Sequence, residues 1–512
     1  MTSHALSSAT RLDALSASRL PASIERPAYD RAALKPGILH LGDGAFHRCH
    51  QAEWTDDALA VEFGDWGIVG VNLRAPDVST LLGPQSGLFC RELREGGTVT
   101  RRLVGSEIAH HSVLDDSYDP HRLTLLAALE AAADPAIRLI TMTVTEKGYC
   151  HIPATGEFNR NHPDIRHDIA SPRLPRSVPG YILEALTLRI SRGLPLPAIM
   201  SCDNVPDNGA TLRRCVIGLA QEVDPVVARH IETGVHFLNT MVDRIVPATQ
   251  DADIERFAAE TGITDYGLVV GEPFRMWVIE DPHGVSKPAW DKVGALVVDD
   301  VHAYEILKMR VLNGIQSNVC QLGLLSDLPF MADVMAQRAF EDFARRTIMA
   351  ETVPGLPAVP GIDVPAYVEQ SIRRLKNPDL KHGTLQISTD GSQKIRQRLL
   401  EPLRACLRDG RQADGLLLGV AGWMCYASGL HWQNRPVDVR DPMAAVTTAI
   451  GQHHRDDPEG LVQAMLEIEA VFGTDLIAVE AVRTALVSFV RQLRTAPAID
   501  VVAALVAHNS FA

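Results

Sequence analysis

Lys308, Asn313 and Gln316 have the types and the spacing that acid–base chemistry at an oxygen atom requires. Apolar residues recur around them at intervals of three and four positions, which predicts a helix. At roughly 100° per residue, the three polar side chains share one side of that helix, beside its apolar stripe. A lysine among apolar groups can lose its proton near neutral pH, because burial disfavours the charged amine. By itself the segment also fits a solvated lysine with two polar surface neighbours.

The composition is typical of a globular protein with two or three domains. The chain has 512 residues, of which 46% are hydrophobic and 22% are charged, and this length exceeds what one hydrophobic core usually holds. The net charge of −14 leaves no basic excess to meet phosphates, which argues against a nucleic-acid partner. No apolar run has the length that a bilayer requires, so no membrane partner is expected.

The cysteines and the N-terminus indicate a cytoplasmic protein with reduced thiols. The eight cysteines are scattered and form no CxxC pair, so neither a structural zinc site nor a redox motif is predicted. Residues 1–20 lack the charged and then apolar pattern of a signal peptide. His47 and His50 stand near the start of a predicted helix. No matching ligand cluster accompanies them, and we expect no bound metal.

Strands alternate with helices in the first half of the chain. Short apolar runs predict strands at residues 37–41, 66–73, 139–144 and 198–202, with helices between them. This alternation is typical of a doubly wound parallel sheet and therefore of an α/β fold. From about Asp299 to the C-terminus, helical periodicity dominates.

The change of pattern predicts how the chain divides. Residues 1–36 are rich in Ser, Ala, Pro and Arg and form the predicted N-terminal leader. Residues 37–285 form the predicted dinucleotide-binding domain, and residues 286–512 form the predicted helical domain with the substrate and catalytic residues. The segment from Pro282 to Pro288 is the predicted hinge between the two domains.

The first predicted strand runs into Gly42 and Gly44, a turn that suits the pyrophosphate of a dinucleotide. Glycines let the backbone approach the phosphates, and the following helix offers free N–H groups at its N-terminus. His47 replaces the third glycine of the full GxGxxG pattern. An ordinary turn between a strand and a helix therefore remains an alternative.

The end of the second predicted strand bears on the choice between NAD and NADP. An acidic residue usually holds the ribose hydroxyls of NAD at this point, and Asn72 or Asp77 can take that role. Arg74 lies between them in the sequence and could pair with the extra phosphate of NADP. We expect NAD as the cofactor, with NADP as the alternative.

Two later strands end in polar residues, and ligands bind beyond the carboxyl ends of parallel strands. Asn204 follows the strand at 198–202, and its amide can donate to a developing alkoxide. Its alternative role is an Asx turn in the loop. Glu146 follows the strand at 139–144 and is either a carboxylate of the cleft or a turn residue paired with Lys147.

Five motifs follow one another along the chain: residues 40–51 (HLGDGAFHRCHQ), 143–149 (TVTEKGY), 201–204 (SCDN), 241–245 (MVDRI) and 308–314 (KMRVLNG). Together they resemble the mannitol dehydrogenase family, the polyol-specific long-chain dehydrogenases, which include the fructuronate and tagaturonate reductases. The resemblance covers nearly the whole chain from about Gly37. It implies a Rossmann-type N-terminal domain, a mostly α-helical C-terminal domain, and NAD(P)-dependent chemistry without a metal.

The resemblance also implies roles for residues in these motifs. Lys308 resembles the family's general base, and Glu146 resembles the carboxylate that links this lysine to solvent protons. Asn204 and Asn313 resemble the amide pair that binds the reacting oxygen. With the strand-end residues above, the predicted cofactor-binding residues are Gly42, Gly44, Phe46, Asn72, Asp77 and Asp243. The predicted substrate-binding residues are Val242, Lys147, Gln316 and Lys394.

Three positions depart from the members that act on mannitol. Those members carry a histidine where this chain has Gln316, and an arginine where the alignment gives Gln386. Glutamine exchanges hydrogen bonds with hydroxyls but does not titrate, and it lacks the bidentate charged grip of arginine on a carboxylate. Lys147 makes the Glu-Lys-Gly-Tyr segment more similar to the sugar-acid reductases. The resemblance therefore does not imply mannitol as the substrate.

The predicted reaction is the reversible oxidation of a secondary alcohol on an acyclic polyol to a ketose. The alternative is a reductase of a keto-uronate such as fructuronate, in which Lys147 and Lys394, with Arg48 or Arg374, bind the carboxylate. A non-catalytic NAD(H) or metabolite sensor is a third alternative, which the intact set of catalytic residues disfavours. We expect a small-molecule substrate and a monomer or small homo-oligomer.

Overall fold

The computed structural model describes residues 10–74, 77–113, 121–152, 155–432 and 435–508. The chain forms two compact units, Met1–Val301 and His302–Ala512. The sequence predicts the division earlier, at Pro282 to Pro288. The strand Leu296–Val298 accounts for the difference, because it pairs with the strand Met276–Glu280 and so belongs to the first unit.

A sheet of six parallel strands forms the centre of the first unit. In chain order these strands are β1 (Pro36–Leu41), β2 (Gly67–Asn72), β3 (Glu107–Ser112), β4 (Leu139–Met142), β5 (Ala198–Ser201) and β6 (Phe237–Leu238). Across the sheet they lie in the order 3-2-1-4-5-6. This is the doubly wound order, in which a ligand binds where the order reverses, beyond the carboxyl ends of β1 and β4. The predicted α/β fold is confirmed.

Both faces of this sheet are buried. Leu39 and Leu41 of β1 belong to one apolar cluster, whereas Ile38 belongs to a second cluster, as the alternation of side chains along a strand requires. The helices of this unit are Ala45–Cys49, Gln51–Val61, Asp77–Leu82, His121–Ala132, Thr145–Gly148, Pro163–Ala170, Val178–Ser191, Asn208–Val223, Pro225–Gly234 and Asp251–Thr261.

Local sequence fixes where these helices begin. The helix Val178–Ser191 follows Ser177, whose hydroxyl oxygen accepts a hydrogen bond from the Gly180 N–H, and Pro179 lies in its first turn. A serine cap satisfies an N–H that the helix itself cannot, and proline is tolerated at a position that needs no N–H. The helix lies between β4 and β5, where the sequence predicts a helix.

Further strands extend the first unit beyond the parallel sheet. Phe89–Glu95 pairs antiparallel with Thr98–Val104 and parallel with Val269–Gly271. Thr240–Asp243 pairs antiparallel with Met276–Glu280. Two short pairs join Thr10–Arg11 to Ile263–Thr264 and His151–Ile152 to Glu157–Phe158. The sequence analysis predicts none of these pairings.

Residues 10–36 are part of the first unit, whereas the sequence predicts a leader. Leu12, Leu20 and Ile24 are buried in one apolar cluster together with Phe257. The segment also contains the short 3-10 turns Ser16–Arg19 and Arg31–Ala33. The sequence does not predict this attachment, because only a few apolar residues of a mostly polar segment make the contacts. Residues 1–9 lie outside the described part of the chain.

The second unit is helical, which confirms the predicted class of the C-terminal domain. Its α-helices are His302–Arg310, Leu312–Leu324, Met331–Ala336, Arg338–Arg346, Val364–Leu375, Thr384–Ser388, Gly391–Ile395, Glu401–Arg408, Asp414–Ala427, Ala444–His453, Pro458–Leu466, Glu469–Phe472, Glu480–Thr495 and Ala498–His508. Two π-helical turns, Thr347–Thr352 and Arg396–Leu400, continue helices of this unit.

The helix Asp414–Ala427 lies at the centre of this unit and is buried on all sides. It packs against Leu312–Leu324, and Gly419 makes the close approach possible. A Cβ atom at Gly419 would lie 1.7 Å from Oδ1 of Asn318. The helix that carries Asn313 and Gln316 is therefore packed closely against this buried helix.

All eight cysteines are free thiols and all are buried. Among the described residues, no helix has the length and hydropathy to cross a bilayer.

Candidate active site

Gly42 follows β1 and adopts a conformation that suits glycine. Its φ angle is +86°, and a Cβ atom there would lie 2.3 Å from the carbonyl oxygen of Thr143. Its N–H donates to the carbonyl of Val71 over 2.9 Å. The fold itself therefore requires glycine at position 42, because a side chain would push the end of β1 away from the residue that follows β4.

Gly44 differs, because the fold does not require it to be glycine. Its φ of −99° and ψ of −176° describe extended backbone that any residue adopts. In the described part of the chain, a Cβ atom at Gly44 would meet only the carbonyl oxygen of Gly42, at 3.8 Å. It precedes the helix Ala45–Cys49, whose Phe46 stacks on His50 with 5.1 Å between ring centroids. The open space beside Gly44 fits a ligand that approaches the backbone closely, as a dinucleotide pyrophosphate does.

A buried cluster of ionisable side chains lies under this turn. Nδ1 of His110 is 3.0 Å from Oδ2 of Asp43 and 3.6 Å from Oε2 of Glu107, and His47 Nε2 is 3.3 Å from Oε1 of Glu107. Burial lowers the pKa of His47 to about 4 and raises the pKa of Glu107 well above its usual value. The Arg48 guanidinium, 3.7 Å from Asp43, and the His110 ring, whose pKa is raised, balance the Asp43 charge.

The same cluster contains ligand atoms of Asp43, His47 and Glu107 that lie within 4.8 Å of one another. In a typical metal site, the metal ion is the main positive charge beside the carboxylate ligands. Here Arg48 and His110 already place cationic groups against Asp43, so the arrangement does not call for a metal. Nε2 of His50 lies 3.1 Å from the carbonyl oxygen of Met276, and the His47 ring stacks on His40 with 3.4 Å between ring centroids.

The residues predicted to hold the ribose lie at the end of β2. Asn72 is buried, and its carbonyl accepts a hydrogen bond from the Val113 N–H over 2.8 Å. Asp77 is the first residue of the helix Asp77–Leu82. Arg74 is largely exposed and forms an ion pair with Asp164.

The ends of β4 and β5 bring three predicted residues to one edge of the sheet. β4 and β5 are neighbours, with Ser201 paired to Met142. Glu146 and Lys147 are exposed on the short helix after β4, and Asn204 is exposed just after β5. Glu146, Lys147 and Asn204 thus follow neighbouring strand ends at one edge of the sheet, and all three are exposed.

The Asp203 carboxylate connects these two strand ends, a role that the sequence does not predict. It accepts hydrogen bonds from the N–H groups of Val144 (3.2 Å) and Thr145 (2.8 Å) and from the hydroxyl of Tyr149 (3.0 Å). Thr145 has a φ of +64°, a conformation that costs a non-glycine residue roughly 1–2 kcal/mol. Burial raises the pKa of Asp203 to about 7, although the backbone hydrogen bonds act in the opposite direction.

Val242 and Asp243 end the strand Thr240–Asp243, and both are buried. The next residue, Arg244, donates hydrogen bonds to the carbonyls of Cys49 and Glu272 and to the carboxylate of Glu53. Since Cys49 ends the helix after the Gly42–Gly44 turn, this one side chain links that helix to the strand of Asp243. Arg244 is a second residue whose place in the site the sequence analysis did not identify.

The second unit carries Lys308, Asn313 and Gln316. Lys308 is only 5% exposed, which excludes the alternative of a solvated lysine, and Asn313 and Gln316 are buried as well. The sequence predicts one helix here. The structure has two, because Val311, with φ of −90° and ψ of −77°, interrupts the geometry between His302–Arg310 and Leu312–Leu324.

Asn313 and Gln316 contact each other directly. Nδ2 of Asn313 donates to Oε1 of Gln316 over 3.0 Å. An amide nitrogen has two N–H groups, so the second remains for another acceptor. Oδ1 of Asn313 is buried and has no hydrogen-bond partner among the described residues, which marks a place where a hydroxyl of a ligand could donate.

Lys394 lies on the helix Gly391–Ile395, and its ammonium group forms hydrogen bonds with the backbone. It donates to the carbonyls of Ile387 (3.3 Å) and Thr389 (2.5 Å), at the end of the helix Thr384–Ser388. Gln386 is exposed on that helix. Lys394 therefore holds the segment of Gln386, in addition to any contact with a substrate.

Comparison with known proteins gives the context of this geometry. A family model described as the mannitol dehydrogenase Rossmann domain matches residues 36–292, and the mannitol dehydrogenase C-terminal domain matches residues 300–494. The D-mannonate oxidoreductase of Escherichia coli (strain K12) is 40% identical over 462 residues, 90% of this chain and 93% of the relative. The mannitol 2-dehydrogenase of Cereibacter sphaeroides is 38% identical over 424 residues, 82% of this chain and 87% of the relative.

A solved structure agrees with these matches over almost the whole chain. It is the ternary complex of Pseudomonas fluorescens mannitol 2-dehydrogenase with NAD and D-mannitol, with a TM-score of 0.87 and 32% identity. The alignment covers 98% of this chain and 100% of that one. The chain therefore belongs to the mannitol dehydrogenase family, whose members are oxidoreductases that act on CH–OH groups.

Proposed function

We propose that the protein is an NAD-dependent polyol dehydrogenase that interconverts a secondary alcohol of an acyclic polyol and the corresponding ketose. The observation that carries the proposal is the buried Lys308 close in sequence to the amide pair of Asn313 and Gln316. Removal of a proton from a hydroxyl requires a base, which the buried amine provides. It also requires a fixed donor to the oxygen, which the amide of Asn313 provides. The similarity to an enzyme solved with NAD and D-mannitol supports the cofactor and the substrate class.

Each residue then has one role in the reaction. Lys308, as the neutral amine, takes the proton from the hydroxyl of the substrate. Asn204 and Asn313 donate hydrogen bonds to the oxygen as negative charge develops on it. Glu146, exposed on its turn, passes the proton to solvent. Bound NAD supplies the nicotinamide ring that accepts the hydride.

The surroundings of Asn72 support NAD rather than NADP. Arg74 is the cationic residue that could bind the additional phosphate of NADP, and its guanidinium is paired with the carboxylate of Asp164. A phosphate would have to displace that carboxylate or sit beside it. The ribose hydroxyls of NAD bring no such charge, so they fit the neutral side chain of Asn72.

Gly44→Ala is expected to weaken NADH binding by about 10- to 100-fold, the loss expected when a hydrogen bond to a charged group is broken. The methyl group has space within the protein but would occupy the place of the pyrophosphate. Fluorescence titration with NADH measures the affinity, and thermal unfolding should show no change in stability.

Gly42→Ala is the matched control for that experiment. Its Cβ atom would lie 2.3 Å from a carbonyl oxygen, so this variant should lose thermal stability as well as affinity. If Gly44→Ala binds NADH as tightly as the unmodified protein, the turn is not the pyrophosphate site.

Lys147 favours a second candidate function, the reduction of a keto-uronate. It is exposed beside Glu146 at the edge of the sheet where Asn204 lies, so it could meet a carboxylate. The relative that is 40% identical carries the name D-mannonate oxidoreductase. Arg48 does not suit this role, because its buried guanidinium lies 3.7 Å from the Asp43 carboxylate. Arg374 and Lys394, both in the second unit, are the alternative cations for the carboxylate.

Lys147→Ala separates the two functions. If the substrate is a keto-uronate, kcat/KM for that substrate should fall by about 10- to 100-fold, the value of one charge-assisted hydrogen bond, while reduction of free ketoses is unchanged. NADH oxidation with ketoses and keto-uronates in parallel measures both. Lys292→Ala, which removes an exposed lysine paired with Glu62, is the control. Equal effects on both substrate classes would exclude a carboxylate-binding role for Lys147.

We also propose a cytoplasmic location. Its support is the set of eight buried, unpaired thiols, which is typical of a reducing compartment.

A further inference from the structure

Asp203 occupies the point where the two strand ends of the candidate site meet. Its backbone directly precedes Asn204, and its carboxylate accepts hydrogen bonds from the N–H groups of Val144 and Thr145. These two N–H groups begin the turn that carries Glu146 and Lys147. The Asp203 side chain thus connects the start of the Asn204 loop to the start of the turn that carries Glu146.

The far end of the same turn is fastened to the same carboxylate. Tyr149 directly follows Gly148, the last residue of the turn, and its hydroxyl donates to Oδ2 of Asp203 over 3.0 Å. The hydroxyl also contacts the Ser201 side chain on β5. The whole segment from Val144 to Tyr149 therefore begins and ends on one buried side chain.

Asp203 is in turn held from below. The amide of Asn208 donates to the Asp203 carbonyl over 2.9 Å and to the Thr240 carbonyl over 2.8 Å. The Thr240 strand leads to Val242 and Asp243. Asp203 is thus fixed to the element that carries those two residues as well as to β4 and β5.

We propose that Asp203 is a positioning residue for the reaction, which sets Glu146 and Lys147 in place relative to Asn204. The inference rests on the proposed function, because it assigns Asp203 a role through the residues named there. Thr145 has an unfavourable positive φ, and the hydrogen bonds to the Asp203 carboxylate stabilise that backbone conformation. Without its two hydrogen bonds, the turn can relax to ordinary backbone and carry Glu146 away from its place.

The ionisable groups that face Asp203 are the Tyr149 phenol, the Glu146 carboxylate and the Cys202 thiol. Burial raises the pKa of Asp203 to about 7, and the charge of Glu146 acts in the same direction. Protonation turns one accepting oxygen into a donor, which weakens the hold on the turn. In Asp203→Asn this side chain no longer titrates, so any inflection near pH 7 that Asp203 contributes to the pH profile of kcat should disappear.

Asp203→Asn is expected to lower kcat by about 10- to 100-fold, the range that a misplacement of catalytic groups by about 1 Å produces. NADH affinity should be unchanged. Independently of turnover, the amides of Val144 and Thr145 should exchange hydrogen faster, measured by mass spectrometry on the peptide that covers residues 144–149. Tyr149→Phe removes a single donor and keeps the ring, and it should give the same changes to a smaller degree if Asp203→Asn does not fold.

Asp168→Asn is the matched control. Asp168 is also buried and also accepts two backbone N–H groups, from Arg176 and Ser177, but these donors lie outside the turn of residues 144–149. This variant should lose thermal stability while kcat per folded molecule and the pH profile stay unchanged. If Asp203→Asn behaves in the same way, Asp203 is only structural and the proposal is wrong.

The two proposals fail in different ways. If the unmodified protein turns over no polyol, ketose or keto-uronate, the proposed function fails, and hydrogen exchange at residues 144–149 still tests the hold of Asp203 on the turn. If the unmodified protein is active and Asp203→Asn is equally active, or if the exchange rates do not change, the positioning role fails alone.

Discussion

Lys308→Ala is expected to lower kcat by at least about 10²–10⁴-fold, the contribution typical of a general base. Lys308 is buried on the helix His302–Arg310, and alanine cannot take a proton from the substrate. Since the residues assigned to the cofactor lie in the first unit, NADH affinity should be unchanged. Steady-state oxidation of a polyol panel measures kcat, and fluorescence titration measures NADH binding. Turnover close to that of the unmodified protein would exclude Lys308 as the base.

Two control variants test whether a loss of activity comes from the missing amine of Lys308 or from another effect of the substitution. Lys308→Met keeps most of the buried aliphatic stem and should be as inactive as the alanine variant, which separates the lost amine from a packing defect. Lys376→Ala removes a half-exposed lysine of the same unit that pairs with Glu341. It should keep normal turnover, because a surface ion pair contributes little to stability. Thermal unfolding of all three variants completes the comparison.

Asn204→Ala is expected to lower kcat by about 10²–10³-fold, the effect of losing one donor to a developing oxyanion. Asn204 is exposed on its loop, so its removal should leave the free energy of unfolding unchanged. KM for the polyol should change less than kcat, because the hydrogen bond strengthens as charge develops in the transition state. Kinetics with saturating NAD measures both constants.

Asn208→Ala is the contrasting variant, at the first residue of the helix that follows the Asn204 loop. Its side chain donates to two carbonyls and accepts from the N–H groups of Gly209 and Thr240. Leaving these buried groups unpaired should cost about 1–3 kcal/mol of stability for each unsatisfied group. If Asn204→Ala loses stability but keeps its kcat, Asn204 is a loop residue without a part in the reaction.

Four strands of the parallel sheet, β1, β2, β4 and β5, were predictable because they are short apolar runs separated by helices. The sequence does not predict β3, which contains Glu107 and two histidines, or β6, which has only two residues. The antiparallel additions were not predictable either, and the strand Phe89–Glu95 shows the reason. It buries Glu92, which pairs with Arg94, Arg101 and Arg256. Buried charged residues that are paired with arginines of the same strand and of other elements break the hydrophobic alternation that identifies a strand. Only the folded chain shows that those charges are paired.

The candidate site divides in a similar way. Glu146 and Asn204 could be placed at one edge from the sequence, because the carboxyl ends of neighbouring parallel strands meet there. Asp203 could not be distinguished from any other loop carboxylate, since its importance comes from two N–H groups and a phenol 54 or more positions away in the chain. The break at Val311 was also hidden, because the apolar spacing continues through it.

The bond between Asn313 and Gln316 has a consequence for the dependence of catalysis on pH. A histidine at position 316 would change from acceptor to donor as it gains a proton near its unperturbed pKa of about 6.5. Its grip on the Asn313 amide would then fail in acid. Glutamine offers the same carbonyl oxygen at every pH that the fold survives. The orientation of the Asn313 amide is therefore insensitive to acidity, which suits its proposed role as a donor to the reacting oxygen.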